Sequence, residues 1–224
     1  MKATSNSIMN AYLLFGAAYC LAVLFSPDTL AWYTKPLLMP ILFGAVWLHS
    51  GMSNQKLLLA ALFFSWLGDI ALMFLHVDPN FFIAGLLAFL IAHILYIVLF
   101  GKSFNKEVSA PKVPLASGLA VILLYLFSLG TLLFPLLGDM LAPVAVYALT
   151  ICTMLAFAWF GHFGWPAGAR YWVLAGAAIF VVSDSFIAFN KFYAPVPQSA
   201  FLVMSTYIAA QYCIVRGVMG LKSS

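Results

Sequence analysis

The chain has 224 residues, 65% of them hydrophobic and 7% charged, with a formal net charge of +4. Soluble domains carry about 25% charged residues, and a soluble fold of this size could not hide so much apolar surface in one core. The composition excludes a water-soluble module and predicts an all-α, polytopic integral membrane protein, a single transmembrane domain over residues 1–224.

A helix needs about 20 residues to cross roughly 30 Å of hydrocarbon. The apolar run that follows Lys2 superficially resembles a secretion signal. However, the run is long enough to span, no small-x-small cleavage site follows it, and Tyr19 before Cys20 would make a poor lipoprotein site. It reads as the first of eight predicted spans: Ile8–Phe25, Pro36–His49, Leu57–Leu75, Phe81–Phe100, Val113–Phe134, Met140–Phe160, Tyr171–Phe189 and Gln198–Val215. Turn formers separate several of them, at Ser26-Pro27-Asp28, Asp78-Pro79-Asn80, Gly161 to Gly168 and Pro195-Val196-Pro197.

Loop charge sets the expected orientation. With eight spans, Lys2, Lys56, Lys102, Lys106, Lys112, Arg170, Arg216 and Lys222 share one side, and Lys35 and Lys191 the other. By the positive-inside rule both termini are expected in the cytoplasm, with the chain in a bacterial inner membrane or, in a eukaryote, the endoplasmic reticulum. Charge this sparse and dispersed argues against a nucleic-acid partner. Cys20, Cys152 and Cys213 lie in apolar segments without C-x-x-C spacing, so they read as buried thiols, not disulfides or a zinc site.

The longest tether, Gly101 to Lys112, divides the chain into halves of about 1–104 and 105–224. Gly68-Asp69-Ile-Ala-Leu72-Met-Phe74 in the third span matches Ser183-Asp184-Ser-Phe-Ile187-Ala-Phe189 in the seventh, as small-Asp-x-x-aliphatic-x-Phe. Four spans per half preserve orientation, so the match suggests two parallel four-helix halves whose related helices face one interior.

Of the acidic residues, Asp28, Asp78, Glu107 and Asp139 fall in loops or at span ends, whereas Asp69 and Asp184 fall mid-span. An aspartate there costs about 2.5–3.5 kcal/mol on insertion scales. Asp69 lies 13 residues past Lys56 and Asp184 lies 14 past Arg170. At 1.5 Å per residue both carboxyls are expected about 20 Å from the cytoplasmic edge. Two carboxyls at one depth can share a proton or divide into an acid and a base. Interhelical packing bonds, the plain alternative, average only about 0.6 kcal/mol and would return little for two buried carboxyls.

Other polar residues cluster by helical spacing. Ser65 stands i, i+4 to Asp69, His93 and Tyr96 share a face of the fourth span, and Tyr207 and Gln211 share a face of the eighth. Each is equally readable as a hydrogen-bonded packing residue. Asn190 and Lys191 close the seventh span and Lys35 opens the second, so two outer cations suit an anionic headgroup or simply snorkel to the interface.

These residues together resemble the YhhN-type lysoplasmalogenase family. The resemblance is carried by Lys35-Pro36-Leu37, Ser65-Trp-Leu-Gly68-Asp69, His93-x-x-Tyr96, Ser183-Asp184-Ser-Phe-Ile-Ala-Phe-Asn190-Lys191-Phe192 and Thr206-Tyr207-x-x-Ala210-Gln211, and covers most of the chain. Trp66 and Ile208 look atypical, at positions expected to affect packing alone.

The resemblance implies cleavage of the vinyl ether bond of lysoplasmalogens to a fatty aldehyde and a glycerophospho-ethanolamine or -choline. The substrate would be a single-chain lipid in the membrane, and neither cofactor nor metal is implied. A vinyl ether hydrolyses when its β-carbon is protonated and water captures the oxocarbenium ion, a demand met in glycosidases by two carboxyls. Asp69 and Asp184 are the expected catalytic pair. Lys35, Ser65, His93, Tyr96, Ser183, Asn190, Lys191, Tyr207 and Gln211 are expected to orient them or the substrate. A proton-coupled transporter fits the buried aspartates and the repeat as well. A metal-dependent lipid hydrolase using His93 is a third possibility, weakened by the scarcity of His.

Overall fold

The computed structural model describes residues 2–25, 30–49, 51–52, 54–104 and 110–221. Asp28 in the first predicted turn, Lys106, Glu107 and Lys222 lie outside the described residues. Among the described residues the regular elements are all helical, and the long ones are α1 Lys2–Phe25, α2 Leu30–Trp47, α3 Gln55–Met73, α4 Asn80–Lys102, α5 Lys112–Leu133, α6 Leu141–His162, α7 Ala167–Ala188 and α8 Ser199–Met219. Each predicted span falls on one of these helices. Seven of them, all but α2, are long and apolar enough to cross a membrane among the described residues.

The second helix departs most from its sequence reading. The sequence places the start of this span at Pro36, where the apolar run begins after the charge of Lys35. Instead α2 begins at Leu30 and runs through both Pro36 and Pro40. Pro40 has no N–H to offer the carbonyl four residues back, which is that of Pro36. The indole of Trp66 on α3 donates to that carbonyl at 2.8 Å. Neighbouring helices re-satisfying a backbone group freed by proline is how membrane helices tolerate it. Trp66 therefore does more than pack. At the other end, Gln55 Nε2 donates to the carbonyls of Val46 at 2.7 Å and His49 at 3.0 Å, closing the C-terminus of α2.

Two helix pairs are drawn close by glycine. On α7 and α8, a Cβ at Gly176 would lie 2.7 Å from the Ile214 nitrogen, and one at Gly217 2.7 Å from the Val173 nitrogen. Small residues that let backbones approach are the usual glue between membrane helices. On α3 and α4, Gly68 lies under the ring of Phe89 and Gly85 under Leu72. Neighbour packing continues from α1 to α2, α2 to α3, α4 to α6, α6 to α7 and α1 to α8. In its most apolar stretch α8 is 56% buried and α5 only 11%, which places α8 at the centre and α5 at the rim. Helix α5 packs chiefly on α6.

Helix α5 breaks near Pro135 into two short 3₁₀ turns, Phe134–Leu136 and Gly138–Met140. Helix α7 passes into a π turn, Phe189–Tyr193. Such turns frequently accompany functional sites.

Candidate active site

Asp69 and Asp184 each lie one helical turn before their α-helix ends, at Met73 and Ala188. They stand in the C-terminal halves of α3 and α7, and the seventh span continues beyond Asp184 through the turn that ends at Tyr193. Asp184 lies within electrostatic reach of Asp69. Their surroundings differ.

Asp69 is 4% exposed and enclosed. Its Oδ2 accepts the hydroxyl of Tyr207 on α8 at 2.7 Å. Lys35 on α2 is half-buried and acts on Asp69 electrostatically, through space. Ser65 does not bond Asp69 among the described residues; its Oγ accepts from Gln211 Nε2 at 3.1 Å. Gln211 Oε1 in turn accepts the hydroxyl of Tyr96 at 2.6 Å. Ser65, Tyr96 and Gln211 are fully buried, and they tie α3, α4 and α8 together one turn below Asp69.

Asp184 is half-buried and opens onto space. Its Oδ2 accepts a hydrogen bond from the hydroxyl of Tyr147 on α6. Both residues line two cavities of about 50 Å³ each. One lies between α5, α6 and α7, reaching Tyr125, Gly130 and Phe134. The other lies between α3, α4, α6 and α7, reaching Leu72, Phe82 and Phe192. Asp184 and Tyr147, with Val144 and Ala188, form the wall the two cavities share.

His93 lies below that wall. Its ring centroid is 5.4 Å from that of Tyr147 and 4.7 Å from that of Phe180. The imidazole is fully buried, and neither ring nitrogen has a hydrogen-bond partner among the described residues. Phe180 also packs edge-on to Tyr207, at 5.5 Å, so one aromatic ring separates His93 from the hydroxyl that holds Asp69.

The remaining predicted residues serve other ends. Ser183 Oγ donates to the Val203 carbonyl at 3.0 Å, joining α7 to α8. Asn190 is exposed, and its Oδ1 accepts from the Val196 amide at 3.0 Å, shaping the loop into α8. Lys191 is exposed with Nζ 5.3 Å from the ring centre of Phe82, a residue that lines the second cavity. Tyr147 was missed by sequence reasoning. So were Tyr125 and Ser185, whose hydroxyls bond each other one residue past Asp184. In a span as apolar as α6, a single tyrosine is the one available signal. Among the described residues no group of three or more His, Cys, Asp or Glu side chains is placed to hold a metal ion.

A model of the YhhN family matches residues 30–218. The chain belongs to the YhhN family. The match takes in α2 through most of α8, and with them every residue of the site just described. This YhhN-family chain is 33% identical to lysoplasmalogenase TMEM86B of Homo sapiens, over 84% of its own length and 76% of the relative's. It is 34% identical to lysoplasmalogenase TMEM86B of Sus scrofa over 79% of its length and 70% of the relative's. With lysoplasmalogenase TMEM86B of Rattus norvegicus the identity is 35%, over 84% and 73%. No solved structure matches the chain.

Proposed function

We propose that this YhhN-family protein hydrolyses the vinyl ether bond of lysoplasmalogens, releasing a fatty aldehyde and glycerophospho-ethanolamine or -choline. The observation that carries the reading is the position of Asp184: a carboxyl on the wall of two apolar cavities, one oxygen held by Tyr147, within electrostatic reach of a second carboxyl. The names of the relatives, all lysoplasmalogenases, support the reaction class.

The contrast between the aspartates divides the work. Asp184 borders space a substrate can enter and acts as the acid, whereas Asp69 is closed in by Tyr207 and acts as a fixed charge. With Oδ2 accepting from Tyr147, Oδ1 carries the proton. The Asp184 proton passes to the β-carbon of the vinyl ether, leaving an Asp184 carboxylate and an oxocarbenium ion. Asp69 stabilises the developing cation through space, in surroundings where charges act more strongly than in water. Water adds to the cationic carbon and gives its proton to the Asp184 carboxylate, regenerating the acid and forming a hemiacetal. The hemiacetal breaks its bond to the glycerol oxygen as its hydroxyl proton moves to that oxygen, yielding aldehyde and alcohol. These steps consume water alone. His93 orients that water: its buried nitrogens, unpartnered among the described residues, stand beside Tyr147.

In this reading α2 crosses the membrane as the eighth span. Both termini are then cytoplasmic, and the two halves are parallel repeats. Tyr207 of the second half holds Asp69 of the first, and His93 of the first packs on the tyrosine that holds Asp184 of the second, as expected of a site built between halves. Lys191, beside Phe82, meets the lipid phosphate at the outer face.

The test is incubation of purified protein with a lysoplasmalogen and with its saturated ether analogue, which has no double bond to protonate. Aldehyde from the first and none from the second is expected. Aldehyde from neither, or alcohol release from both, would overturn the reading.

A further inference from the structure

The cavity on the α5 side of Asp184 does not end within the bundle. It shares Leu126, Gly130 and Phe134 with a wider groove of about 730 Å³ between α5 and α6. Leu123, Phe127 and Leu149 line that groove and are largely exposed, so it lies on the face the bundle turns to lipid. The junction is at Gly130. A Cβ at this position would meet the ring of Phe134 at 3.2 Å, so the ring lies directly over the one backbone position that both spaces share without a side chain between them.

Helix α5 suits a movable wall. Its described residues are mostly exposed, with Gly130 and Leu133 the buried ones, and just beyond Leu133 the helix loosens into 3₁₀ turns around Pro135. Polar groups along the route are already bonded within the chain. Thr131 Oγ1 donates to the Ser128 carbonyl at 2.9 Å, and the Tyr125 and Ser185 hydroxyls bond each other. What remains is apolar surface ending at a carboxyl.

We propose that the α5–α6 groove and its junction at Gly130 form a lateral portal that opens sideways to the bilayer with Phe134 as its door, so that the hydrocarbon chain of a single-chain ether lipid slips in from the side and lies in the groove. The inference rests on the vinyl ether hydrolase reading and specifies how that site takes its substrate. The chain, not the headgroup, uses this route. The residues that line the inner cavity include no Lys, Arg or His to receive a phosphate, and their one acidic group, Asp184, would repel it when ionised. Passage from lipid to groove exchanges one apolar surface for another, whereas passage through water would expose every methylene. The portal thus presents the double bond to Asp184 while the tail stays in the groove.

The experiment compares two substrates in reconstituted vesicles: hexadecenyl lysophosphatidylethanolamine in the bilayer, and a water-soluble propenyl ether of glycerol in the buffer. Gly130→Val fills the junction from within, and Phe134→Trp enlarges the door from its exposed side. Each is expected to lower the ratio of kcat/KM for the long chain to that for the short one at least tenfold. Gly130→Val/Phe134→Ala is expected to recover most of the lost ratio. Unchanged ratios in both single variants, with wild-type protein active on both substrates, would overturn the portal and leave the hydrolase reading standing. Cleavage of neither substrate by wild-type protein would overturn both.

Discussion

Tyr147 on α6 donates its hydroxyl hydrogen to Oδ2 of Asp184 on α7, and the two side chains together wall both cavities that reach the site. The relationship gives the seventh-helix carboxyl a fixed orientation. It also leaves one oxygen to face a substrate.

Tyr147→Phe keeps the ring against His93 and removes the hydrogen bond. Hydrogen bonds to charged or ionisable partners are worth about 1.5–3 kcal/mol, and each 1.36 kcal/mol is tenfold in rate. Turnover is expected to fall about 10- to 100-fold with KM little changed, as measured by aldehyde release. Wild-type turnover would show that Asp184 needs no such support.

His93 separates function from stability. An imidazole buried with both nitrogens unpartnered among the described residues contributes little to folding, and an apolar replacement of similar size relieves its desolvation. His93→Leu is expected to unfold at the same temperature as wild type or higher, while losing at least tenfold in turnover. Thermal unfolding in detergent and aldehyde release from the same sample provide the two readings. A destabilised variant with intact turnover would make His93 a packing residue.

Asp69 has two attendants, Tyr207 and Lys35, on different helices. If both act through the one carboxyl, their removal does not add. Tyr207→Phe and Lys35→Met are each expected to slow turnover about tenfold, and the double variant by distinctly less than the product. Simple multiplication of the losses in kcat would assign the two residues independent tasks.

The glycines of α7 and α8 carry a structural prediction. A Cβ at Gly217 meets backbone, with the Val173 nitrogen at 2.7 Å and the Ala169 carbonyl oxygen at 3.0 Å, and backbone cannot swing aside. Gly217→Ala is expected to cost about 1–3 kcal/mol. Gly44→Ala on α2, where nothing lies within 4 Å of the added carbon, is expected to be neutral or mildly stabilising. Unfolding midpoints of the two variants in detergent test the contrast.

The helices were legible in the sequence because span length and charge are written into composition. The edges were less so. The charge of Lys35 reads as the edge of the second span, yet α2 begins earlier, at Leu30, and it continues past Pro40 because Trp66, 30 residues from Pro36 in the chain, supplies the hydrogen bond to the Pro36 carbonyl that Pro40 withholds. Asp69 and Asp184 stood out because a carboxylate in an apolar span is costly, and Tyr207 and Gln211 because they recur at helical spacing. Tyr147 did not stand out. Tyrosine is common in membrane helices, and only the packing of α6 on α7 aims this one at Asp184. The bond that Ser65 makes with Gln211 instead of Asp69 was hidden for the same reason: spacing along one helix says nothing about what a neighbouring helix offers.

The central claim is that a carboxyl proton from Asp184 reaches the β-carbon of the vinyl ether. Hydrolysis in deuterium oxide, with the aldehyde trapped at once as an oxime and weighed by mass spectrometry, tests it most directly. Wild-type protein is expected to release aldehyde carrying one deuterium next to the carbonyl carbon, and folded Asp184→Asn to release about 10²- to 10⁴-fold less, the usual range for losing a general acid. Unlabelled aldehyde, or labelled aldehyde from Asp184→Asn at the wild-type rate, would contradict the account.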